Sequence, residues 1–292
     1  MNRKLIALAL VFTAIVPAAR AQISVSLELK PHPFYVRHEA IRAAVRITNL
    51  SGRDLLLSDA EAPWFGFTVT QGGADNLLSP RNPDYKLDPL EIKNGETLKR
   101  EVDLNTLFPF AEYGPYRVKA TIFSKQLGKF FSSKSTGIEI TEGRVVWQQT
   151  VGVPEAMPNA GATHRISLLS VQGRDHMFLY CRVEDPDTGA VYSCFRIGHL
   201  IDNTSPQMQF DTTNTLHVLH LVGPKTYQLT QVGVNGELVG HFTYIAPKLK
   251  PSLRRDGTGS VAVYGASRVD PPAANATVAA PKLSDRPPGL GR

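Results

Sequence analysis

The chain has only two cysteines, Cys181 and Cys194, and a run of turn-forming residues at 186–189 lies between them. Two thiols at this spacing fit three kinds of chemistry: a disulfide, a metal clip or a redox pair. If 186–189 is a four-residue hairpin loop, Asp185 pairs with Ala190. Cys181 then lies directly opposite Cys194, at a Cα separation of about 4.5 to 5.5 Å that suits a disulfide. A loop one residue longer or shorter would leave two reduced thiols in the core.

The start of the chain bears on that choice, because it predicts the compartment. MNRKLIALALVFTAIVPAARAQ combines basic Arg3 and Lys4, an apolar stretch at 5–16 and an Ala-x-Ala ending, which are the three parts of a secretory signal peptide. The apolar stretch is shorter than the roughly 20 residues that span a bilayer. We predict cleavage after Ala21 and a secreted or periplasmic mature chain from Gln22 without a transmembrane segment. Such a compartment favours the disulfide.

The histidines and acidic turns give no clear metal site. His217 and His220, in LHVLH, are the closest pair of histidines in the sequence. Residues three apart on a strand point to opposite faces, so this pair cannot chelate one ion. The acidic turn at 184–187 lacks the alternating ligand spacing of an EF-hand loop. We predict no metal site and no cofactor.

Motifs for nucleophilic catalysis are absent from the sequence. It contains no G-x-S-x-G, S-x-x-K or H-E-x-x-H motif, although convergent triads need no local signature. The alternative to a binding protein is an extracellular, glycosidase-like hydrolase with Asp175, Asp211 or Asp256 at the chemistry. That alternative requires two carboxylates about 5 to 9.5 Å apart across an open cleft. We predict that the chain is not an enzyme.

The net charge gives little indication of a partner. It is +6 for the whole chain and falls to +3 when the three basic residues of the leader are removed. Basic residues are scattered and form only short pairs such as Lys99-Arg100. The sequence therefore predicts no nucleic-acid partner.

The elements that must position these residues are strands. Apolar and polar residues alternate along most segments, and no helical period is sustained outside the leader, so we predict an all-β fold. Residues 22–141 hold about seven short strands separated by turns, which is typical of a β-sandwich. The clearest are ISVSLELK, IRAAVRITNLSG, RDLLLSD, WFGFTVTQ, TLKREVDL, YRVKATIF and GIEIT.

One of these strands carries a resemblance to a known superfold. FPFAEYGPYRVKATI resembles the pG-x-Y-x-V-x-A strand of bacterial immunoglobulin-like domains. The resemblance covers about 40% of the chain and implies that Tyr116, Val118 and Ala120 face inward. A superfold carries no activity with it. Nearby, the aromatic residues of APWFGF either line a ligand groove or an inter-domain contact, or pack in the core.

Residues 144–268 contain an internal repeat. The segment from Pro206 to Val218 aligns without gaps on the segment from Pro251 to Val263, at an offset of 45 residues. A looser copy lies upstream at an offset of 39 residues, with Leu169 in the place of Met208 and Leu179 in that of Val218. Repeats of about this length are typical of four-stranded propeller blades.

The repeat resembles blades of sialidase-like and related bacterial β-propellers, through the run P-x-hydrophobic-x-x-D-x-x-G-x-hydrophobic-x-V. No arginine triad or tyrosine–glutamate pair can be assigned, so the resemblance implies no sialidase site. The strands suffice for about two and a half to three blades, whereas closed propellers need at least about 4. We predict one compact antiparallel β-domain with blade-like repeats. An open array and a ring completed by another chain are the alternatives. A further alternative is that the repeat is a coincidence in a generic meander, since the matched positions are ordinary turn and strand residues.

Together these features predict four parts: a signal peptide at 1–21, an immunoglobulin-like sandwich at 22–141, a β-repeat domain at 144–268 and a disordered Pro/Ala-rich tail at 269–292. We expect an exported, non-catalytic binding or structural protein that recognises a protein or glycan partner at the cell envelope or outside the cell. The candidate contact residues are Trp64, Phe65, Tyr85, Arg174 and Tyr192.

Overall fold

The computed structural model describes residues 22–29, 34–60, 62–73, 76–201 and 204–269. The predicted signal peptide lies outside the described residues, and so does the predicted tail apart from Val269, which ends a strand. The described chain is all-β, as predicted, and its one helix is the single turn Leu104–Leu107. Within these residues, no helix has the length and apolar character needed to cross a bilayer.

The N-terminal part is a sandwich of two sheets. Its elements are β1 (Ile23–Leu29), β2 (Tyr35–Val36), β3 (Arg42–Asn49), β4 (Leu55–Leu57), β5 (Phe65–Gln71), β6 (Leu90–Ile92), β7 (Thr97–Asp103), α1 (Leu104–Leu107), β8 (Gly114–Ser124), β9 (Lys129–Ser132) and β10 (Thr136–Thr141). One sheet has the strand order β1-β3-β7. The other has the order β2-β10-β8-β5, with β9 paired to β8, and β4 pairs with β6 in a separate ribbon.

One hydrophobic core lies between the two sheets. β3 alternates buried and exposed residues, so Val45 and Ile47 are completely buried. On β8, Tyr116, Val118 and Ala120 are buried as well, which confirms the direction that the resemblance implied. A slip of one residue would turn either apolar row to solvent, so burial fixes the register of both strands.

The C-terminal part consists of two meanders and a hairpin. Its strands are β11 (Arg144–Gly152), β12 (Thr163–Gln172), β13 (Met177–Glu184), β14 (Val191–Leu200), β15 (Gln207–Phe210), β16 (Leu216–Gly223), β17 (Thr226–Val232), β18 (Leu238–Ile245), β19 (Ser252–Arg255), β20 (Val261–Tyr264) and β21 (Ser267–Val269). β11 to β14 form the first meander, and β15 to β18 form the second, to which β21 adds a fifth strand. β19 and β20 form the hairpin.

The repeat found in the sequence is present in the strand pairing. Met208 of β15 lies opposite Val218 of β16, and Leu253 of β19 lies opposite Val263 of β20. Both members of the second pair follow the first by the offset of 45 residues that the alignment gives. The two segments therefore form the same hairpin in the same register.

The aspartate of each copy organises the turn of its hairpin. Oδ1 of Asp211 accepts two backbone N–H bonds, at 2.9 and 3.0 Å, and Oδ1 of Asp256 accepts the equivalent two at the same distances. Such side-chain bonds to nearby backbone groups are the reason that Asp is favoured in turns. These two carboxylates therefore stabilise the equivalent turn in the two copies of the repeat.

The upstream copy is a hairpin too, but the alignment places it one residue out of register. The offset of 39 places Leu169 and Leu179 at the positions of Met208 and Val218, which lie opposite each other. The alignment therefore expects Leu169 opposite Leu179, whereas the structure pairs Leu169 with Tyr180. The turn explains the difference, because Gln172 pairs directly with Met177 across four residues, one fewer than in the other copies.

The sheets of the C-terminal part are stacked face to face. One face of the first meander packs on the second meander through a cluster that includes Leu168, Ile197 and Val218. On the far face of the second meander, Leu219 and Leu229 pack against Leu253 of the hairpin. The order of layers is therefore first meander, second meander and hairpin.

The remaining face of the first meander packs on the sandwich. Phe34 and Val36, at β2, join a cluster with Phe178 and Tyr180 of the first meander, and the rings of Phe34 and Phe178 meet edge to face at 5.7 Å. Buried Glu39 accepts the N–H of Val36 at 3.0 Å and also hydrogen-bonds the hydroxyl of Tyr180. Apolar contact and a buried hydrogen bond thus join the two parts of the chain.

The predicted disulfide between Cys181 and Cys194 is wrong, since both cysteines are free. The N–H of Asp185 donates to Ala190 as expected, but the pairing then shifts because Tyr192 is an extra, bulged residue. Cys181 consequently lies opposite Phe195 instead of Cys194.

The shift of one residue turns the two thiols to opposite faces of the first meander, because successive strand residues alternate in direction. Cys181 packs in the cluster shared with the second meander, and Cys194 packs in the cluster shared with the sandwich. Burial raises the pKa of both thiols, that of Cys194 to about 12. They are therefore the two reduced core thiols of the alternative interpretation.

Candidate binding groove

A groove of about 280 Å³ opens on the sandwich and brings together two of the predicted contact residues, Phe65 and Tyr85. One wall is the edge strand β5, from Phe65 to Thr68, and the other is the segment 80–85. Phe108 and Phe130 complete the aromatic part of the lining, and Pro80, Pro83 and Leu107 add further apolar surface. The groove is therefore apolar and aromatic along most of its length.

Backbone and indole hydrogen bonds hold the segment that forms the second wall. The N–H of Arg81 donates to the carbonyl of Leu107 at 2.7 Å, beside the helical turn α1. The indole Nε1–H of Trp64 donates to the carbonyl of Leu87 at 3.1 Å. Because both ends of the segment are bonded to the sandwich, the groove is formed before any ligand arrives.

Trp64 supports the groove from below and does not line it. Its side chain has no exposed surface, and its ring packs 5.5 Å from that of Phe65. The expectation that Trp64 contacts a partner directly is therefore corrected: it is a core residue. Phe67, on the same strand, packs edge to face on Phe65 at 5.2 Å and lines the groove in its place.

The groove has almost no ionisable chemistry. Among the described residues, Tyr85 is its one ionisable lining side chain, and burial raises the pKa of that phenol. The polar side chains of the lining are the amide of Asn82 and the hydroxyls of Thr68 and Thr121. Such a lining can bind and orient an uncharged ligand, but it offers no general acid or base for neutral pH.

The other two predicted contact residues lie outside the groove, at opposite ends of the first meander. Arg174 is in the turn between β12 and β13. Tyr192 lies near the turn between β13 and β14, where its ring packs 4.5 Å from that of His164 and its hydroxyl donates to Asp185 at 3.3 Å. The structure therefore does not unite the five residues in one site.

The acidic residues of the hydrolase alternative lie outside the groove. Burial would raise the pKa of Asp211, but hydrogen bonds from His217 and from the turn outweigh it and lower that pKa. A hydrogen bond from the Thr258 hydroxyl lowers the pKa of Asp256. Neither aspartate lines the groove, and neither does Asp175.

Four histidines that are far apart in the sequence approach one another in the two meanders. His176, His199, His220 and His241 are 23, 21 and 21 residues apart, and this regular spacing is the signal that was missed. The rings of His176 and His199 lie 5.1 Å apart. His241 shares hydrogen bonds with Gln228 and with Thr230, the latter at 3.1 Å.

His220 is the most buried of these imidazoles. Neither ring nitrogen of His220 has a partner at hydrogen-bonding geometry. The backbone of His199 lies close enough to raise the pKa of His220, but this is the smallest of the three influences on that pKa. Burial, followed by the influence of His241, lowers the pKa of His220 to about 4. The described part of the chain contains no group of three or more His, Cys, Asp or Glu side chains that could hold a metal ion.

Comparison of the chain with protein-family models and with curated proteins finds no match. The fold and the groove are therefore the basis for assigning a function.

Proposed function

We propose that this chain is an exported, non-catalytic binding protein whose sandwich recognises a protein partner in the groove between β5 and 80–85. The observation that carries the proposal is the lining: a groove with aromatic and proline walls, uncharged hydrogen-bonding groups and, among its described residues, no carboxylate or imidazole. Pockets that bind uncharged ligands are mostly apolar, with a few placed polar groups. Export rests on the leader, whose three parts are those of a signal peptide.

The finer fold assignment is part of the same proposal. An immunoglobulin-like sandwich is supported by the hydroxyl of Tyr116, near the start of β8, which donates to the carbonyl of Glu112 at 2.8 Å. A tyrosine that reaches back to the backbone in this way is a hallmark of such sandwiches. Blade-like repeats are supported by the matching hairpins of β15-β16 and β19-β20.

A protein partner fits the lining better than a glycan does. A sugar presents many hydroxyls, and the groove offers only Thr68, Asn82 and Thr121 as polar side chains for them. Buried polar groups of the ligand without partners would cost about 1–3 kcal/mol each. An apolar peptide side chain carries no such cost and gains from contact with Phe67 and Tyr85.

The test uses Trp64 as a reporter beneath the groove. Trp147→Phe leaves Trp64 as the single tryptophan of the chain. The mature variant is titrated with a panel of neutral, capped octapeptides rich in Val, Leu and Pro, and with neutral oligosaccharides. We expect saturable changes in fluorescence with a subset of the peptides, because Trp64 packs directly on Phe65.

A pair of substitutions locates the binding site. Tyr85→Ala removes a groove wall and should weaken peptide binding by at least about 30-fold, which corresponds to a hot-spot loss of 2 kcal/mol. Tyr264→Ala removes a tyrosine that is 46% exposed on the hairpin and should leave binding unchanged. Equal losses in both variants, or a response to sugars and to no peptide, would show that the proposed function is wrong.

A further inference from the structure

The groove runs along β5, the strand at one edge of its sheet, and the outer side of β5 is only partly paired. β5 pairs with β8 on one side, and the described residues place no full strand on its other side. The chain itself starts to fill that side, since the N–H of Leu78 donates to the carbonyl of Val69 at 2.8 Å and the N–H of Gln71 donates to Asn76 at 2.9 Å. This pairing stops at Val69, where the groove begins.

The alternation of backbone groups shows which residues face the free side. Towards β8, the carbonyl of Trp64 accepts from Phe123 and the N–H of Gly72 donates to Pro115. Even-numbered residues of β5 therefore bond to β8, and odd-numbered residues direct their N–H and C=O groups to the free side. The bonds of Val69 and Gln71 to 76–78 obey the same rule.

Phe65 and Phe67 continue this odd-numbered row into the groove. Their backbone N–H and C=O groups have no partner among the described residues, and both residues line the groove. Gly66, between them, also lines the groove and adds no side chain to it. The groove thus combines a row of backbone donors and acceptors with an aromatic pocket.

We propose that the occupant of the groove is an extended, uncharged peptide segment of another protein, which adds to β5 as a strand where 76–78 stops. This inference rests on the proposed function and states how the partner is held. A chain in β conformation is the ligand whose donors and acceptors repeat with the spacing of Phe65 and Phe67. Such strand addition is an established mode of peptide recognition, with the affinity coming from main-chain bonds and the specificity from pockets for alternate side chains.

The lining also predicts the partner's sequence. Side chains of the added strand alternate between the two faces of the sheet, so every second one meets the groove wall of Phe67, Phe108 and Tyr85. Those positions should be apolar. Charged residues there would lose hydration without gaining an opposite charge, because the described lining contains none.

The experiment scans the tightest-binding octapeptide of the fluorescence panel with backbone N-methylation, one position at a time. Methylation removes one N–H donor and leaves the side chains intact. We expect losses of about tenfold or more at every second position and little effect between them, since only alternate N–H groups face β5. Hydrogen exchange gives an independent readout: the amide of Phe67, which is partly exposed, should exchange rapidly in the free chain and become protected by the peptide.

The outcomes distinguish this inference from the proposed function. Tolerance of methylation at all positions, with binding still sensitive to Tyr85→Ala, would overturn strand addition and leave the groove as the binding site. Protection of Gly66 and Thr68 alone would overturn it as well, because their amides face β8. If no peptide of the panel binds, both proposals are wrong.

Discussion

Acid should weaken the fold through His220, and the size of the effect follows from its burial. Its pKa is lowered to about 4 by desolvation and by His241, against an ordinary value of about 6.5. Between these two values the unfolded chain binds a proton that the folded chain does not bind, so stability falls as the pH falls. The contribution of His220 to the free energy of unfolding is fully present above pH 6.5. Between the two pKa values, that free energy falls by about 1.4 kcal/mol for each unit by which the pH falls. From pH 7 to pH 5 the loss is about 2 kcal/mol.

His220→Leu removes the titrating group and keeps a side chain of similar bulk. At pH 7 the variant should be as stable as the wild type or more stable, because the imidazole it replaces has no well-formed hydrogen bond. Urea denaturation of both mature chains at pH 7 and pH 5 gives the four free energies of unfolding. The variant should lose about 2 kcal/mol less than the wild type over this interval.

Other imidazoles do not prevent this comparison. Burial also lowers the pKa of His38, His199 and His241, so acid lowers the stability of the wild type and of the variant through these residues too. This shared loss cancels when the change in stability of one chain between the two pH values is subtracted from that of the other. Thr243→Val is the control: Thr243 pairs with Gln228 on the neighbouring strand and carries no titrating group. It should change stability equally at the two pH values. If His220→Leu also changes stability equally at both, the reasoning from burial is refuted.

Three further outcomes follow from the hydrogen bonds and the register. Thiol titration of the unreduced mature chain in denaturant should find both Cys181 and Cys194 as free thiols. In the native chain the reagent should react with neither, because both are buried. If the denatured chain shows no free thiol, the register of the two strands is contradicted. Tyr116→Phe should lower the free energy of unfolding by about 1 kcal/mol through loss of the bond to Glu112, and an unchanged urea midpoint would contradict that role. Asp256→Ala should lower the urea midpoint, because several hydrogen bonds of the turn end on this one carboxylate. An unchanged midpoint would mean that the turn forms without them.

Local alternation was sufficient to predict the sandwich strands and their buried rows. Val45 and Tyr116 are buried because a period of two can place an apolar row on only one face, and that period is visible in the sequence. Asp211 and Asp256 recur at the same position of the repeat, and each organises the turn of its own hairpin. In each case the relevant interactions lie within one hairpin or one strand.

The errors concern features that depend on a single residue or on the order of strands. Tyr192 looks like any strand residue, yet as a bulge it moves Cys194 away from Cys181 and removes the disulfide. The groove depends on β5 being an edge strand, and strand order is decided by packing of the whole sandwich. No local pattern could show that the backbone groups of Phe65 and Phe67 lack partners among the described residues.

The position of β5 in its sheet is compatible with the proposed addition of a strand. In the order β2-β10-β8-β5, the strand β2 at one edge is flanked by Phe34 and contributes Val36, and both pack on the first meander. β5 is at the opposite edge. A strand added to β5 would therefore extend the sheet away from the junction and would leave the contact between Glu39 and Tyr180 intact. The first meander covers the surface near one edge, and among the described residues no full strand pairs with β5 at the other edge.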